Sequence, residues 1–425
     1  MKTVAFKTFG CRLNHAEAAR FQADFSSVGF TRVPLEANAD VIVVHSCMVT
    51  QTAENEAMRL LRALRKRHPH ACLVLSGCMA ALIQPAALHE QGVDLIVSQQ
   101  EKDRLVPTVL SRLGVHSDAS LFPHPSAQRT QRAVLKIQDG CDFFCTYCIV
   151  PYARGAPRSR PFETCLSDAR ALIDAGFREI VVTGCNTACY RDGRRSLADL
   201  LSALLELPGL GRIRLGSIEP GTVEREIVAL MAQAPQLCRF LHLPIQSGDD
   251  RILTRMGRRY SAGEIFETLD EALRLMPDIG LGADIICGFP GETDAAFART
   301  RELIARFPIS KLHVFPYSER PGTPAAEFDG SIPHEERKRR TRVLIEQGNA
   351  NRRTFAQRFQ GRPVTLIPER FDAVGCAHGW SEEYLACVVS GVPRKLRGKL
   401  CIFAPDRVDG EVLRGAFSEP QGNSD

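Results

Sequence analysis

Short apolar runs alternate with amphipathic stretches along most of the chain. The first 115 residues repeat one order, in which a strand candidate is followed by a cysteine and then by a helix candidate. Thr3 to Gly10 precedes Cys11 and a helical run from Asn14 to Val28. Asp40 to Ser46, with Val41-Ile42-Val43-Val44 inside it, precedes Cys47 and a helix from about Thr50 to Arg67. Ala71 to Gly77 precedes Cys78, and a fourth strand candidate, Val93 to Val97, has no cysteine after it. This alternation predicts a parallel sheet flanked by helices. The strands of such a sheet end on one edge, where open α/β folds carry their ligand sites. Cys11, Cys47 and Cys78 are therefore expected to converge.

A polar stretch at 116–132, containing Pro123 and Pro125, reads as a linker. A second β/α series follows. Its strand candidates are Ala133 to Gln138, Glu179 to Thr183, Arg212 to Ser217, Phe240 to Pro244, Leu281 to Ile286 and Lys311 to Phe315. Six βα units predict a partial barrel of the triosephosphate-isomerase type, with its chemistry at the strand C-termini. Cys141, Gly184-Cys185-Asn186, Glu219-Pro220, Gln246-Ser247-Gly248, Gly288-Phe289-Pro290-Gly291-Glu292 and Tyr317-Ser318 fall there. Residues 331–362 read as a basic helical connection, with nine Lys or Arg against three Glu between His334 and Arg362. Residues 363–420 read as a small β-barrel. The expected fold class is α/β, with an N-terminal domain at 1–115, a central partial barrel at 133–330 and the terminal β-barrel.

Composition changes this picture little, except in one respect. With 44% hydrophobic and 24% charged residues the chain resembles an ordinary soluble protein. No run reaches the roughly 18 apolar residues of a membrane span. The first residues lack a secretory pattern, so a cytoplasmic location and no membrane partner are expected. The net charge of +5 permits an anionic partner without demanding one. The exception is cysteine. Fifteen occur in a chain whose expected compartment does not preserve disulfides. Cys72, Cys165, Cys238, Cys287, Cys376, Cys387 and Cys401 read as small hydrophobes.

Six others carry chemistry. In Gly140-Cys141-Asp142-Phe143-Phe144-Cys145-Thr146-Tyr147-Cys148, three thiols lie directly after the first barrel strand. Thiolates at this density point to a soft metal or an iron–sulfur cluster. A zinc site would need a closing fourth ligand, and no His or Cys follows until Cys165. Three protein ligands on a four-iron cluster leave one iron open. A structural zinc or three buried thiols are the competing readings.

The C-x3-C-x2-C spacing, with Tyr147 before the last cysteine, resembles the radical S-adenosylmethionine superfamily. The resemblance implies a [4Fe-4S] cluster on Cys141, Cys145 and Cys148. Its open iron would chelate S-adenosylmethionine, with Tyr147 near the adenine, and cleavage would give a 5′-deoxyadenosyl radical. Phe9-Gly10-Cys11-Arg12-Leu13-Asn14, His45-Ser46-Cys47-Met48-Val49-Thr50 and Ser76-Gly77-Cys78 resemble the three cluster motifs of methylthiotransferases. That implies an auxiliary [4Fe-4S] cluster on Cys11, Cys47 and Cys78, carrying the sulfur that is methylated and delivered. His45 and Met48 depart from the Asn and Thr usual in that family. Pro151-Tyr152-Ala153-Arg154-Gly155, Arg214 to Pro220, His242 to Gly248, Asp284 to Thr293 and His313 to Thr323 also match it. Glu219 and Gln246 are candidates to hold the cofactor's ribose or methionine part.

The wording of the barrel motifs is most similar to the branch that modifies N6-threonylcarbamoyladenosine in tRNA. The fold that resemblance implies is a flavodoxin-like sheet, a radical S-adenosylmethionine barrel and a TRAM-like β-barrel, the last suggested by Gly379 to Leu385. The implied reaction is methylthiolation of the adenosine C2 beside the anticodon, with S-adenosylmethionine as both methyl donor and radical source. The partners would be tRNA, an electron donor and a sulfur source. A ribosomal-protein methylthiotransferase and a non-enzymatic iron–sulfur RNA-binding or sensor protein are the alternatives. The basic stretch from Arg337 to Arg362, with Arg154, Arg158 and Arg160, suits phosphate contacts. Tyr152 and Tyr317 are candidates for a base-stacking platform. Cys185 and Cys189 form a C-x3-C pair at the barrel rim, read as a redox or persulfide pair or as drift.

Overall fold

The computed structural model describes residues 2–115, 131–223 and 225–418. Five parallel strands form the N-terminal sheet: β1 Thr3–Thr8, β2 Thr31–Arg32, β3 Val41–Ser46, β4 Cys72–Gly77 and β5 Leu95–Val97, in the order β2-β1-β3-β4-β5. β3 and β4 are buried on both faces, which their unbroken apolar character requires of central parallel strands. The helices Arg12–Ser27 and Gln51–Arg67 follow β1 and β3. Thr50 starts the second by accepting a hydrogen bond from the Ala53 amide at 3.3 Å. The two-residue β2 is exposed and left no apolar pattern to read.

The expected linker at 116–132 lies outside the described residues except for Gln131 and Arg132, and Arg132 already opens the next strand. That strand is β6 Arg132–Lys136. Beyond it come β7 Gln138–Asp139 and β8 Arg158–Ser159, a short antiparallel pair, and then β9 Glu179–Thr183, β10 Arg212–Leu215, β11 Phe240–Gln246, β12 Gly280–Cys287 and β13 Ile309–Pro316. β6, β9 and β10 pair in parallel, as do β11, β12 and β13. Parallel bridges Ile213–Leu237 and Ser217–His242 join the two groups into one six-stranded partial barrel. Leu241, Leu243 and Ile245 of β11 and Leu281, Ala283 and Ile285 of β12 belong to the core under the outer helices. By strand alternation, Phe240, His242, Gln246, Asp284, Lys311 and His313 occupy the opposite, lumen face.

The C-terminal sheet has six strands: β14 Val364–Phe371, β15 Ala377–Ser381, β16 Ala386–Ser390, β17 Cys401–Phe403, β18 Arg407–Asp409 and β19 Val412–Ala416. Their order, β17-β14-β15-β16-β19-β18, makes a curled half-barrel with two unpaired edges. It docks at the N-terminal end of the barrel strands. Arg212 donates to the Thr365 and Trp380 carbonyls at 3.2 and 2.9 Å, and Arg214 to those of Ser381 and Glu382 at 2.8 and 2.9 Å. Both arginines pair with the fully buried Glu179. Tyr384 stacks between Phe240 and Trp380, each ring centroid 4.9 Å away. The segment Gly379 to Leu385 thus plugs the barrel base.

Glu383, in that plug, is buried, and burial pushes its carboxyl up to about 7. Between its unfolded value of roughly 4.3 and 7 the native state holds a proton that the unfolded chain has released, so stability falls as pH rises through this window. Glu383→Gln is expected to leave stability near pH 4 unchanged. At pH 8 it should raise stability by on the order of 2–3 kcal/mol. Anaerobic denaturant titrations at the two pH values check this.

The long helix His334–Gln357 carries the basic stretch, and part of its charge is spent on pairing within the protein. Arg337, Lys338, Arg339, Arg340, Arg352 and Arg362 are committed to Glu319, Glu335, Glu336, Glu292, Glu411 and Asp278, respectively. Arg337 and Arg340 are buried. Arg337 and Arg340 hold this helix to the barrel, a use that a linear count of lysines and arginines does not reveal.

Candidate functional site

Cys11, Cys47 and Cys78 each follow a strand at one edge of the N-terminal sheet, and side chains near them tie the three loops together. Asn14 donates to the Phe9 and Ser46 carbonyls, both at 2.9 Å, joining the Cys11 loop to the Cys47 loop. Ser46 donates to the Ser76 carbonyl at 2.7 Å and accepts from the Met79 amide at 3.3 Å, joining the Cys47 loop to the Cys78 loop. Gly10 has φ +98°, and a Cβ there would lie 2.8 Å from Cys47 Sγ. Only glycine combines that backbone with so close an approach. The thiols are near enough to act on one another: burial raises Cys47 and Cys78, the latter to about 11, and a charge on Cys11 would raise both further.

The second trio sits at the opposite mouth, beyond β6 and β7. Gly140, with φ +76°, backs onto the Ala156 carbonyl, where a Cβ would lie 2.1 Å away. The Cys141 amide donates to the Gly155 carbonyl at 3.0 Å, and the Cys148 amide to that of Cys145 at 2.9 Å. Thr146 anchors the loop through its amide to Met256 O and its hydroxyl to Arg255 O, both at 2.9 Å. Arg258 lies beneath. It donates to the Tyr147 hydroxyl at 3.0 Å, sits 3.2 Å from Cys145 Sγ, donates to the Pro244 carbonyl and pairs with Glu219. Burial pushes the Cys141 and Cys148 thiols up to about 11 and 12. Buried protonated thiols of this kind ionise readily only against a cation.

Neither trio brings its three sulfurs within 4.8 Å of one another. The one His/Cys/Asp/Glu set among the described residues that is so tight is His242, Asp284 and His313. A single tetrahedral zinc would hold its sulfurs ~3.8 Å apart, given Zn–S near 2.3 Å.

A buried ionic knot joins the two trios. Helix Val150–Arg154, just after Cys148, packs on helix Cys78–Leu82, which begins with a cysteine of the first trio. From its end Arg154 donates to Asn14 at 2.6 Å, to Asp139 at 2.8 Å and to both oxygens of Glu17 at 3.1 Å. Lys102 and Lys136 each pair with the same two carboxylates, and His45 Nε2 lies 3.1 Å from Glu17. Burial pushes both carboxyls up, and the surrounding cations overcome it, so both stay well below their usual range. Arg154 is 2% exposed, so it is not a free phosphate contact. Arg320, also buried, fixes the far side by donating to Glu54 at 2.5 Å and Gln51 at 3.2 Å, just beyond Cys47.

Comparison with known proteins gives the chain its family. The radical SAM superfamily model matches residues 135–304, and the uncharacterized protein family UPF0004 matches 3–98. A threonylcarbamoyladenosine tRNA methylthiotransferase MtaB from Thermotoga maritima is 35% identical, covering 91% of each chain. One from Bacillus subtilis is 32% identical over 92% of this chain and 91% of its own. This chain belongs to the radical SAM tRNA methylthiotransferases. A tRNA-2-methylthio-N(6)-dimethylallyladenosine synthase from Jannaschia sp. is also 32% identical, over 94% of this chain and 90% of its own. Among solved structures, the radical S-adenosylmethionine methyltransferase TsrM from Kitasatospora setae shares the fold, with TM-score 0.57, 15% identity and 77% of both chains covered.

A radical SAM methylthiotransferase uses a [4Fe-4S] cluster and S-adenosylmethionine, and the barrel mouth fits them. Tyr147 is turned inward, edge-on to Phe289. Gln246 ends β11 at φ +68°, buried, with its Oε1 lacking a protein partner. Such an orphaned acceptor suits a polar cofactor edge. Glu219 is already paired with Arg258, and burial raises its carboxyl. Sequence reasoning missed Arg258, because Gly257-Arg258-Arg259-Tyr260 resembles an ordinary basic turn. Of its two candidates for a stacking platform, Tyr317 is buried against Phe289 and under Arg337. Tyr152 is exposed and packs edge-on to the exposed Phe144 of the cysteine loop. Cys185 lies 3.5 Å from Asp139, at the edge of the knot.

Proposed function

We propose that this enzyme methylthiolates C2 of N6-threonylcarbamoyladenosine next to the anticodon of tRNA. Cys141, Cys145 and Cys148 would hold the radical-generating [4Fe-4S] cluster, and Cys11, Cys47 and Cys78 a second, auxiliary one. Bound there, these groups with S-adenosylmethionine would supply a hydrogen-abstracting radical, a methyl group and the transferred sulfur. The observation that carries the reading is the pair of thiol trios on facing loops, held together by the Arg154 knot. The chain's own residues do the positioning. Asn14 and Ser46 hold three loops in one frame. Arg258 places positive charge against Cys145 and orients Tyr147.

The substrate assignment rests on lumen chemistry and on the relatives. A threonylcarbamoyl group carries a carboxylate, whereas a dimethylallyl group is apolar. A cleft of about 580 Å³ beside the lumen is lined by Lys7, Arg12, His15, Arg132 and Tyr384, with no carboxylate among its lining residues. The exposed Phe144, Tyr152 and Phe315 offer surfaces on which an unstacked base can rest. A cytoplasmic location, an electron donor and a sulfur source belong to the same proposal. Nucleoside mass spectrometry of tRNA from a deletion strain tests it. The 2-methylthio form of N6-threonylcarbamoyladenosine is expected to disappear while its unthiolated parent accumulates and the dimethylallyl series is unchanged. An intact threonylcarbamoyl product, with the change instead in a ribosomal protein, would overturn it.

A further inference from the structure

The lumen wall carries a set of side chains that cluster binding does not use. His242, Asp284 and His313 come from the adjacent parallel strands β11, β12 and β13 and share the lumen face. Asp284 is the direct register partner of His313, and His242 pairs with Gly282, two residues before Asp284. One ligand atom from each lies within 4.8 Å of the others. His313 Nδ1 is 2.9 Å and His242 Nε2 3.0 Å from the same oxygen, Asp284 Oδ1.

Two observations separate this set from an ordinary hydrogen-bonded triplet. First, His242 is 7% exposed, yet its Nε2 has no hydrogen-bond partner. Asp284 is close enough, but the bond geometry is not met. A buried ring nitrogen in that condition wants a ligand. Second, the backbone makes room for the other side of the ring. A Cβ on Gly282 would lie 2.4 Å from His242 Nδ1, so glycine is what leaves room for the imidazole at this depth. Meanwhile His313 is 44% exposed in its side chain, which leaves one side of the set open to the lumen.

We propose that His242, Asp284 and His313 form a binding site for one divalent transition-metal ion, separate from both cysteine trios. Two imidazole nitrogens and one carboxylate oxygen suit zinc or ferrous iron better than magnesium or calcium, which prefer all-oxygen shells. Three protein ligands leave further positions facing the lumen, where water or an oxygen donor of a bound substrate completes the shell. This goes beyond the cluster assignment and does not depend on the identity of the nucleoside.

The test uses anaerobically reconstituted full-length protein, titrated with Zn²⁺ and passed over a desalting column. One zinc per chain is expected to remain, with iron and sulfide content unchanged. Zinc-edge X-ray absorption should show nitrogen and oxygen neighbours at ~2.0–2.1 Å and no sulfur. His242→Ala should weaken zinc retention by at least the ~10–100-fold that losing even an outer partner costs. His313→Gln, at the exposed position, should do the same and guards against a folding defect in the first variant. Failure to retain zinc in the parent protein, sulfur in the zinc shell, or retention unchanged in His313→Gln would each overturn the proposal.

Discussion

Cys145→Ala is expected to abolish 5′-deoxyadenosine formation, whereas Cys47→Ala should retain it to within a factor of a few and lose thiolation. The two substitutions remove one ligand from each trio, so their phenotypes separate if the trios do different work. Cys145 is the sulfur 3.2 Å from Arg258, in the loop whose Tyr147 faces the barrel mouth. Under the proposed assignment, losing it would remove the radical source itself. Cys47 sits against Gly10, in the N-terminal domain. Anaerobic incubation with dithionite and S-adenosylmethionine, followed by chromatography of the nucleoside product, gives the first readout. Mass spectrometry of a tRNA substrate gives the second. Iron content should fall from about eight to about four per chain when Cys11, Cys47 and Cys78 are all replaced. A Cys47 variant that still thiolates would refute the sulfur-carrying role of the N-terminal trio.

The largest expected effect on stability belongs to Arg154→Ala. The side chain is buried and donates to Asn14, Glu17 and Asp139 at once. Its removal leaves two buried carboxylates with Lys102, Lys136 and a histidine whose burial disfavours its charged form. Breaking one partner out of such a set typically costs about 3–5 kcal/mol, because the remaining charges stay desolvated. The denaturation midpoint should fall accordingly, and both trios should load iron less fully. Arg154→Lys is expected to recover only part of the loss, since an ammonium cannot match the planar fork that reaches three acceptors. Unfolding monitored by circular dichroism, alongside iron analysis, measures both.

Much of this architecture was legible in the chain. Strands such as Glu179–Thr183 carry continuous apolar runs, and the structure places them as strands. The strand-end placement of Cys11, Cys47, Cys78 and Cys141 was legible because each follows an apolar run. Charge was the part that misled. Glu17, Lys102, Lys136, Asp139 and Arg154 look like scattered surface charges, and only the fold reveals that they meet out of water. In the basic run from Arg337 onward, Arg340 and Arg352 likewise find partners, Glu292 and Glu411, tens of residues away. His242, Asp284 and His313 are separated by 42 and 29 residues, so only strand register brings them to one face.

The knot around Glu17 also bears on how the chain is made. Glu17, His45 and Lys102 emerge from the ribosome first, whereas Lys136, Asp139 and Arg154 follow up to about 50 residues later. At ~5–20 residues per second that gap lasts on the order of seconds. During this interval the N-terminal sheet can form, but Glu17 has only His45 and Lys102 for company and the Cys78 helix lacks its partner helix Val150–Arg154. The nascent N-terminal domain is therefore complete only once the first barrel strand and the cysteine loop beyond it have left the exit tunnel.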